Sequence, residues 1–364
     1  HKGLKIPRRQ LRAGSSPALG TKNMIEIKSI SELKKEEIVR LIKKREINNF
    51  SNKSILNSLL ELDPNYIDGF GLVKDRVLIG VSLVFNKILK TKYKKFKSAY
   101  WANLFIDEDV KNPFLYLKLL NKTKSLIKSS KYDFIFAAVR RKNLVISHTK
   151  TGFKKFDERR VLFKPIQPLK FYLKKNSIKN LSFFILLDKL YSFFLKILNS
   201  QKLKIKNIFL DEKNIEELKP FIDAKIKKDH FYYDLCFLTK RLKTNINGEK
   251  YNLLSIESKN ELFSGLIYSV RKYENDINLL TVMDIIFSNH REMKYILNEL
   301  TQIALSKGVD GIIMMNQDFK ISKLFFSNFF FTTNEKYELM TFSNSNESFS
   351  FKSLNFSFLD HDAF

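Results

Sequence analysis

The sequence predicts an α/β protein made of two units of one design in tandem, each a mixed central sheet flanked by helices. Three observations carry this. The stretch from Ser98 to Phe156 recurs in diverged form from Asn278 to Phe331, as strand, turn, long amphipathic helix, strand, short helix and closing aromatic, and an internal repeat decides an architecture before any single motif does. Asp133 and Asp310 are 177 residues apart and Phe153 and Phe329 are 176 apart, so the offset holds across several elements. Helices of about 18 residues joined to apolar strands by short turns are the pattern of a mixed sheet covered by helices, and neither copy has the strict βαβαβ alternation of a doubly wound fold.

Residues 1–23 lack hydrophobic periodicity and are set aside as a leader foreign to the fold; RAGSSPALGT resembles the accidental translation of the 3′ part of a tRNA gene, the rival reading being a basic arm for nucleic acid. Met24 to Lys28 reads as a strand, and Ser29 with Glu32 has capping-box spacing before a helix to about Arg45. A loop with Asp63-Pro64-Asn65 leads to the hairpin GFGLV and RVLIGVSLVF around Lys74-Asp75. The first repeat copy follows: strand SAYWANLFI, acidic turn, helix from Pro113, strand YDFIFAAV, helix KNLVISHTKT and Gly152-Phe153. A β pair in KKFDERRVLF closes the unit, and Pro165 and Pro168 mark a boundary. The expected division is 24–165, a basic helical linker over 166–205, and 206–364. The second unit reads as strand KNIFL, a helix after Asp211, a Tyr-rich helix around DHFYYDLCFLTKRL, the hairpin NLLSIES and ELFSGLIYSV, and the second repeat copy.

Composition sets the class. At 44% hydrophobic and 28% charged residues the chain is globular, not disordered. A net charge of +27 points towards anionic partners, but the excess is mainly Lys, spread evenly and accompanied by much Asn, Ile and Phe, so nucleic acid is not the expected partner; an anionic small substrate is. The single cysteine, Cys236, excludes an internal disulfide and fits a reducing, cytoplasmic setting. Leu181 to Leu198 is the most hydrophobic stretch, yet Asp188, Lys189 and Lys196 interrupt it, so it reads as an amphipathic helix that packs between the units or lies on a membrane surface.

The order strand, helix, hairpin, long strand, helix, strand, helix, Gly-Phe resembles the GNAT superfamily of N-acyltransferases. The segments DHFYYDLCFLTKR and YNLLSIESKNELFSGLIY and the ending Leu359-Asp360-His361-Asp362 are similar to pieces of tandem GNAT-like proteins linked with surface-polysaccharide biosynthesis. The resemblance implies transfer of an acetyl or other acyl group from a coenzyme A thioester to the amine of an activated, nucleotide- or lipid-linked sugar, with no metal. Two rivals stay open: a relative that uses aminoacyl-tRNA to modify a cell-wall precursor, and a scaffold whose cofactor turns have decayed.

Such chemistry needs a diphosphate held by amides at a helix N-terminus, a thioester held along a strand, and a base for the ammonium. By resemblance, Ile106, Val110, Lys111, Asn112, Phe114, Leu115 and Asn143 would hold the cofactor. The turn Asp107 to Pro113 departs from the family pattern: it has no glycine and three carboxylates, while Pro113 as first helical residue would leave the Phe114 and Leu115 amides free. The second turn, Ser288-Asn289-His290, is short for a phosphate cradle. His148, near neutrality by type, is one catalytic candidate or else a helix-surface histidine. Asp284, within LLTVMDIIF, is the other, or else a buried, paired aspartate, sharing a face with Val282 and Ile286 by strand alternation. Tyr232, Tyr233, Arg241 and Trp101 are candidates for stacking on or pairing with the acceptor, or are core aromatics. Asp360-His361-Asp362 has no further ligand spaced to join it and reads as a solvated end.

Overall fold

The computed structural model describes residues 25–45, 67–91, 94–107, 109–110, 112–128, 131–178, 182–198, 205–211, 213–225, 230–232, 250–257, 263–316, 322–343 and 356–358. Its first unit contains β1 (Ile25–Ser29), α1 (Lys35–Arg45), β2 (Ile67–Lys74), β3 (Val77–Lys90), β4 (Lys95–Ile106), α2 (Pro113–Lys128), β5 (Phe134–Val139), α3 (Lys142–Lys150) and β6 (Lys154–Pro165). After α4 (Pro168–Lys175) and α5 (Ser182–Leu198) come β7 (Lys206–Phe209), α6 (Lys219–Lys225), β8 (His230–Tyr232), β9 (Tyr251–Glu257), β10 (Phe263–Lys272), β11 (Asn278–Ile286), α7 (His290–Ser306), β12 (Gly311–Met315), α8 (Ser322–Ser327) and β13 (Phe331–Ser343).

These strands form one mixed sheet in the order β1-β2-β3-β4-β5-β13-β6-β12-β11-β10-β9-β7, with β8 added to β3. Only β4 with β5 and β11 with β12 are parallel among the described strands, each pair joined by a long helix as a parallel crossover requires. At the centre the units exchange strands: β13 lies between β5 and β6, and β6 lies between β13 and β12. The expected β pair in KKFDERRVLF is therefore one long strand, because its two edges are taken by two strands of the other unit. The expected Tyr-rich helix begins instead as β8. Strand β3 runs beyond its last β2 partner at Phe85 and offers the bare edge Ile88–Lys90 to residues 230–232.

The repeat has a hydrogen-bond explanation. In the first unit the Asp133 amide donates to the Lys97 carbonyl and the Lys97 amide to Asp133 Oδ2, at 2.8 and 2.7 Å. In the second, Asp310 and Asn278 make the same two bonds at 2.8 and 2.7 Å. Each aspartate thus clips the start of the long strand to the strand after the helix. The partner of Phe153 is Phe330, not Phe329: Phe153 and Phe330 are both buried, and each donates its amide to the carbonyl five residues back, His148 and Phe325, at 3.0 Å. The offset is then 177 for both pairs, and Phe329 occupies the place of Gly152. Both residues have positive φ, 63° and 92°. Phe329 is a left-handed helix cap without glycine's freedom, and its ring is 41% exposed. Phe329→Gly is expected to raise stability by about 1 kcal/mol, measured by urea unfolding; an unchanged midpoint would show that the cap is unstrained.

One face of the sheet carries a core common to both units, from Ile38 and Leu41 of α1 through Tyr100, Phe136 and Leu339 to Phe221 and Ile286. Phe356 and Phe358 near the chain end pack into it. The opposite face carries separate cores, one beneath α2 and α3 and one beneath α7.

Candidate active site

Strands β4 and β5 are paired only where Ser98, Ala99 and Tyr100 meet Phe134, Ile135 and Phe136, although β4 continues to Ile106. The separation starts at a bulge. Leu83 pairs with Asn103 and Val84 with Trp101, so Ala102 has no opposite residue on β3; an extra residue of this kind bends its strand and increases its twist. The result is a notch between β4 and β5 where facing backbone groups have no ladder partner among the described strands. The second unit bulges at the equivalent place, Met283, between the pairs Ile267 with Asp284 and Tyr268 with Val282.

The first notch is bordered by Trp101, Ala137, Val139 and Phe153. His148, in the last turn of α3, packs against it with its ring centroid 5.3 Å from Trp101 and 5.0 Å from Phe153. Its Nδ1 lies 2.8 Å from the Leu144 carbonyl. A carbonyl only accepts, so Nδ1 carries the proton and Nε2 is an acceptor in the neutral ring. Burial pushes the pKa of His148 down, against a smaller upward effect of the Leu144 bond, so the neutral form dominates at pH 7. Trp101 Nε1 is buried without a hydrogen-bond partner among the described residues, an orphan donor that calls for an acceptor.

The fold thus brings together two of the residues singled out in the sequence, Trp101 and His148, which are 47 positions apart. Ile106, Val110 and Leu115 meet in a small apolar cluster at the mouth of α2 with Leu72, Ile79 and Leu119. Phe114 is exposed, and Lys111 lies outside the described residues. The Phe114 and Leu115 amides are not free as expected: Asn112 caps α2, its Oδ1 accepting from Phe114 at 3.0 Å and its carbonyl from Leu115 at 3.2 Å. The acidic turn is balanced by Lys44 of α1, which bonds both oxygens of Asp107 at 2.8 and 2.9 Å and also contacts Asp109. That lysine holds Asp107 below the usual carboxylate range, against the upward pull of partial burial. Asn143 is exposed, its Oδ1 accepting from the Leu144 amide at 3.0 Å. Tyr232 ends β8; Tyr233, Arg241 and residues 359–362 lie outside the described residues.

Asp284 does not join the notch. The bulge puts Met283 and Asp284 on one face with Ile286, while Val282 points into the other core, so the alternation expected from the sequence fails by one residue. There Asp284 meets Lys225 of α6 in an ion pair whose side chains are 0% and 3% exposed, and its Oδ1 accepts from the Ile285 amide at 2.9 Å.

The second unit keeps the scaffold and lacks these groups. Val282 replaces Trp101 and Phe325 replaces His148. Its turn is four residues shorter: Asn103 to Asp284 is an offset of 181, Pro113 to His290 one of 177. A carboxylate fills the start of its helix. Glu292 accepts from the hydroxyls of Ser264 and Ser288, both at 2.5 Å, while Asn289 Oδ1 accepts from the Glu292 amide at 2.9 Å. Burial pushes the Glu292 carboxyl up, and bonds from Ser264, Ser288 and Asn289 outweigh it and hold it low. An anion at a helix N-terminus is favourable, and here the protein supplies its own.

Sequence reasoning missed Lys164 of β6, which is fully buried under α7 with Nζ 2.8 Å from Thr301 Oγ1. Burial pushes its pKa down to about 7. A lysine inside the apolar run VLFKP was the available signal.

No protein-family model matches the sequence, and no curated protein matches it. Solved structures do. A GCN5-related N-acetyltransferase from Anabaena variabilis ATCC 29413 matches over 87% of this chain and 72% of its own, with a TM-score of 0.58 at 11% identity. A protein of unknown function from Enterococcus faecalis V583, described as a probable N-acyltransferase, matches over 88% and 73%, with a TM-score of 0.60 at 8% identity. The N-myristoyltransferase of Saccharomyces cerevisiae, solved with bound myristoyl-CoA, matches over 91% and 81%, with a TM-score of 0.58 at 10% identity. The chain has the fold of these N-acyltransferases. At such identities the likeness concerns the fold alone, and function has to be argued from the notch.

Proposed function

We propose that the chain is an N-acyltransferase whose first unit takes the pantetheine arm of an acyl-CoA into the notch between β4 and β5. The observation that carries this is the notch itself: an opened parallel pair with unladdered backbone, an orphan Trp101 Nε1–H, and a neutral His148 offering Nε2. Bound acyl-CoA supplies the thioester. The strand edges would pair with the pantetheine amides, Trp101 would donate to a carbonyl, and His148 would take the proton that the acceptor ammonium must lose before its nitrogen attacks the thioester carbon; the C–S bond would then break and coenzyme A leave as the thiol with the second proton the nitrogen gives up. The diphosphate belongs at the N-terminus of α2, where the dipole is positive. The second unit, with Glu292 in that place, is a binding and framing partner. The net charge of +27 favours an anionic acceptor, and an amine on an activated sugar is the acceptor class proposed.

Calorimetric titration with acetyl-CoA, and with a long-chain acyl-CoA beside it, tests the reading. Asn112→Asp keeps the cap of α2 and adds a negative charge where the diphosphate would lie. It is expected to weaken the donor about tenfold while leaving the melting temperature unchanged or higher. Wild-type protein that binds neither thioester overturns the proposal; binding unaffected by Asn112→Asp removes the diphosphate from α2.

A further inference from the structure

Helix α5 packs through one narrow edge. Asp188, Tyr191, Ser192 and Leu195 form it, spaced three and four residues apart. Asp188 caps α4, accepting from the Leu169 and Lys170 amides at 3.0 and 2.7 Å, and Ser192 Oγ donates to the Ile166 carbonyl at 3.3 Å. Among the described side chains, an apolar stripe faces outward beside this edge. Leu186, Leu190, Phe193, Phe194, Ile197 and Leu198 are each 50–61% exposed, and at helical spacing they cover an arc of roughly 140°. Scattered exposed apolar residues are ordinary, but a contiguous stripe marks an interaction surface.

The charges around the stripe identify the occupant. Residues 166–205 contain eight lysines, of which Lys170 and Lys174 face Asp310, and the single acidic residue, Asp188, is buried. Lys189 and Lys196 lie together on one flank of α5, between the packed edge and the apolar stripe, and both are exposed. Tyr172 and Ile178 of the preceding segment are also exposed, 58% and 46%. A second copy is a poor match, since its own α5 brings no exposed acidic residue to meet these lysines. No described helix is long and apolar enough to cross a membrane. We propose that α5 docks on an anionic lipid surface, its apolar stripe buried about 5–10 Å deep and its lysines at the headgroups.

The proposal does not depend on acyl transfer, and its test uses no donor. Full-length protein is floated with vesicles of phosphatidylcholine alone or with about one third phosphatidylglycerol. Wild type should float with the anionic vesicles and largely dissociate at high salt. Leu190→Ser/Phe194→Ser and Lys189→Glu/Lys196→Glu should each weaken binding about tenfold or more; the altered side chains are exposed, so circular dichroism should show unchanged folding. Absence of flotation by the wild type overturns the proposal, as does equal flotation of the Leu190/Phe194 variant. So does a dimer in sedimentation that this variant dissolves while vesicles capture nothing, which would assign the stripe to a second copy.

Discussion

Lys225→Ala should destabilise the protein by about 3–5 kcal/mol, because it removes the buried cation with which Asp284 pairs inside the common core. The side chains of the pair are 3% and 0% exposed, so water cannot replace the lost partner. Asp284→Ala should cost a similar amount by removing the carboxylate with which the Lys225 ammonium pairs. Lys225→Met/Asp284→Leu, which removes both charges and keeps apolar volume, should recover most of the loss, since a buried pair is often replaceable by hydrophobic packing with little net cost. Urea unfolding of the four proteins gives the coupling directly. The cycle also decides the role of Asp284. If the double variant is stable and still transfers acyl groups, the aspartate is structural; if it is stable and inactive, Asp284 returns as a catalytic base. A double variant as unstable as the singles would show that the pair is not the source of the effect.

What the sequence revealed and what it concealed divide along physical lines. The two copies were legible because each carries its own local instructions: an apolar strand, a helix start at Pro113 or Asn289, and an aspartate that clips the strands together. The exchange of β6 and β13 was not, because a strand's local pattern does not name its partner, and here both partners come from the other half of the chain. Residues 230–232 were misread as helix because three residues rich in aromatics have no period; the exposed edge of β3 decided them. The bulge at Met283 is one residue of extra length, invisible to alternation, and it moved Asp284 to the other face. In the sequence Trp101 and His148 each read either as a site residue or as part of the scaffold. Only their packing across the notch, with Phe153 between the elements that carry them, makes them a pair.

His148→Phe is the substitution that separates chemistry from packing at that pair. The second unit already holds Phe325 at the equivalent position, buried and closed by the same backbone bond from Phe330, so phenylalanine suits this scaffold. If His148 Nε2 accepts the ammonium proton, His148→Phe should lower kcat by 10²–10⁴-fold, roughly, with KM for the donor little changed. The pH profile adds an independent reading. Burial places the folded pKa of His148 below the unfolded value of about 6.5, so the unfolded chain holds more protons between those two values. Stability therefore falls as pH drops from about 6.5 through the folded pKa, and so does the fraction of His148 able to act as a base. Wild-type kcat/KM should rise with pH through an apparent pKa below about 6.5, and His148→Phe should lose that limb. Retention of wild-type kcat by the variant would return the histidine to the core, and the base would have to be sought outside the notch.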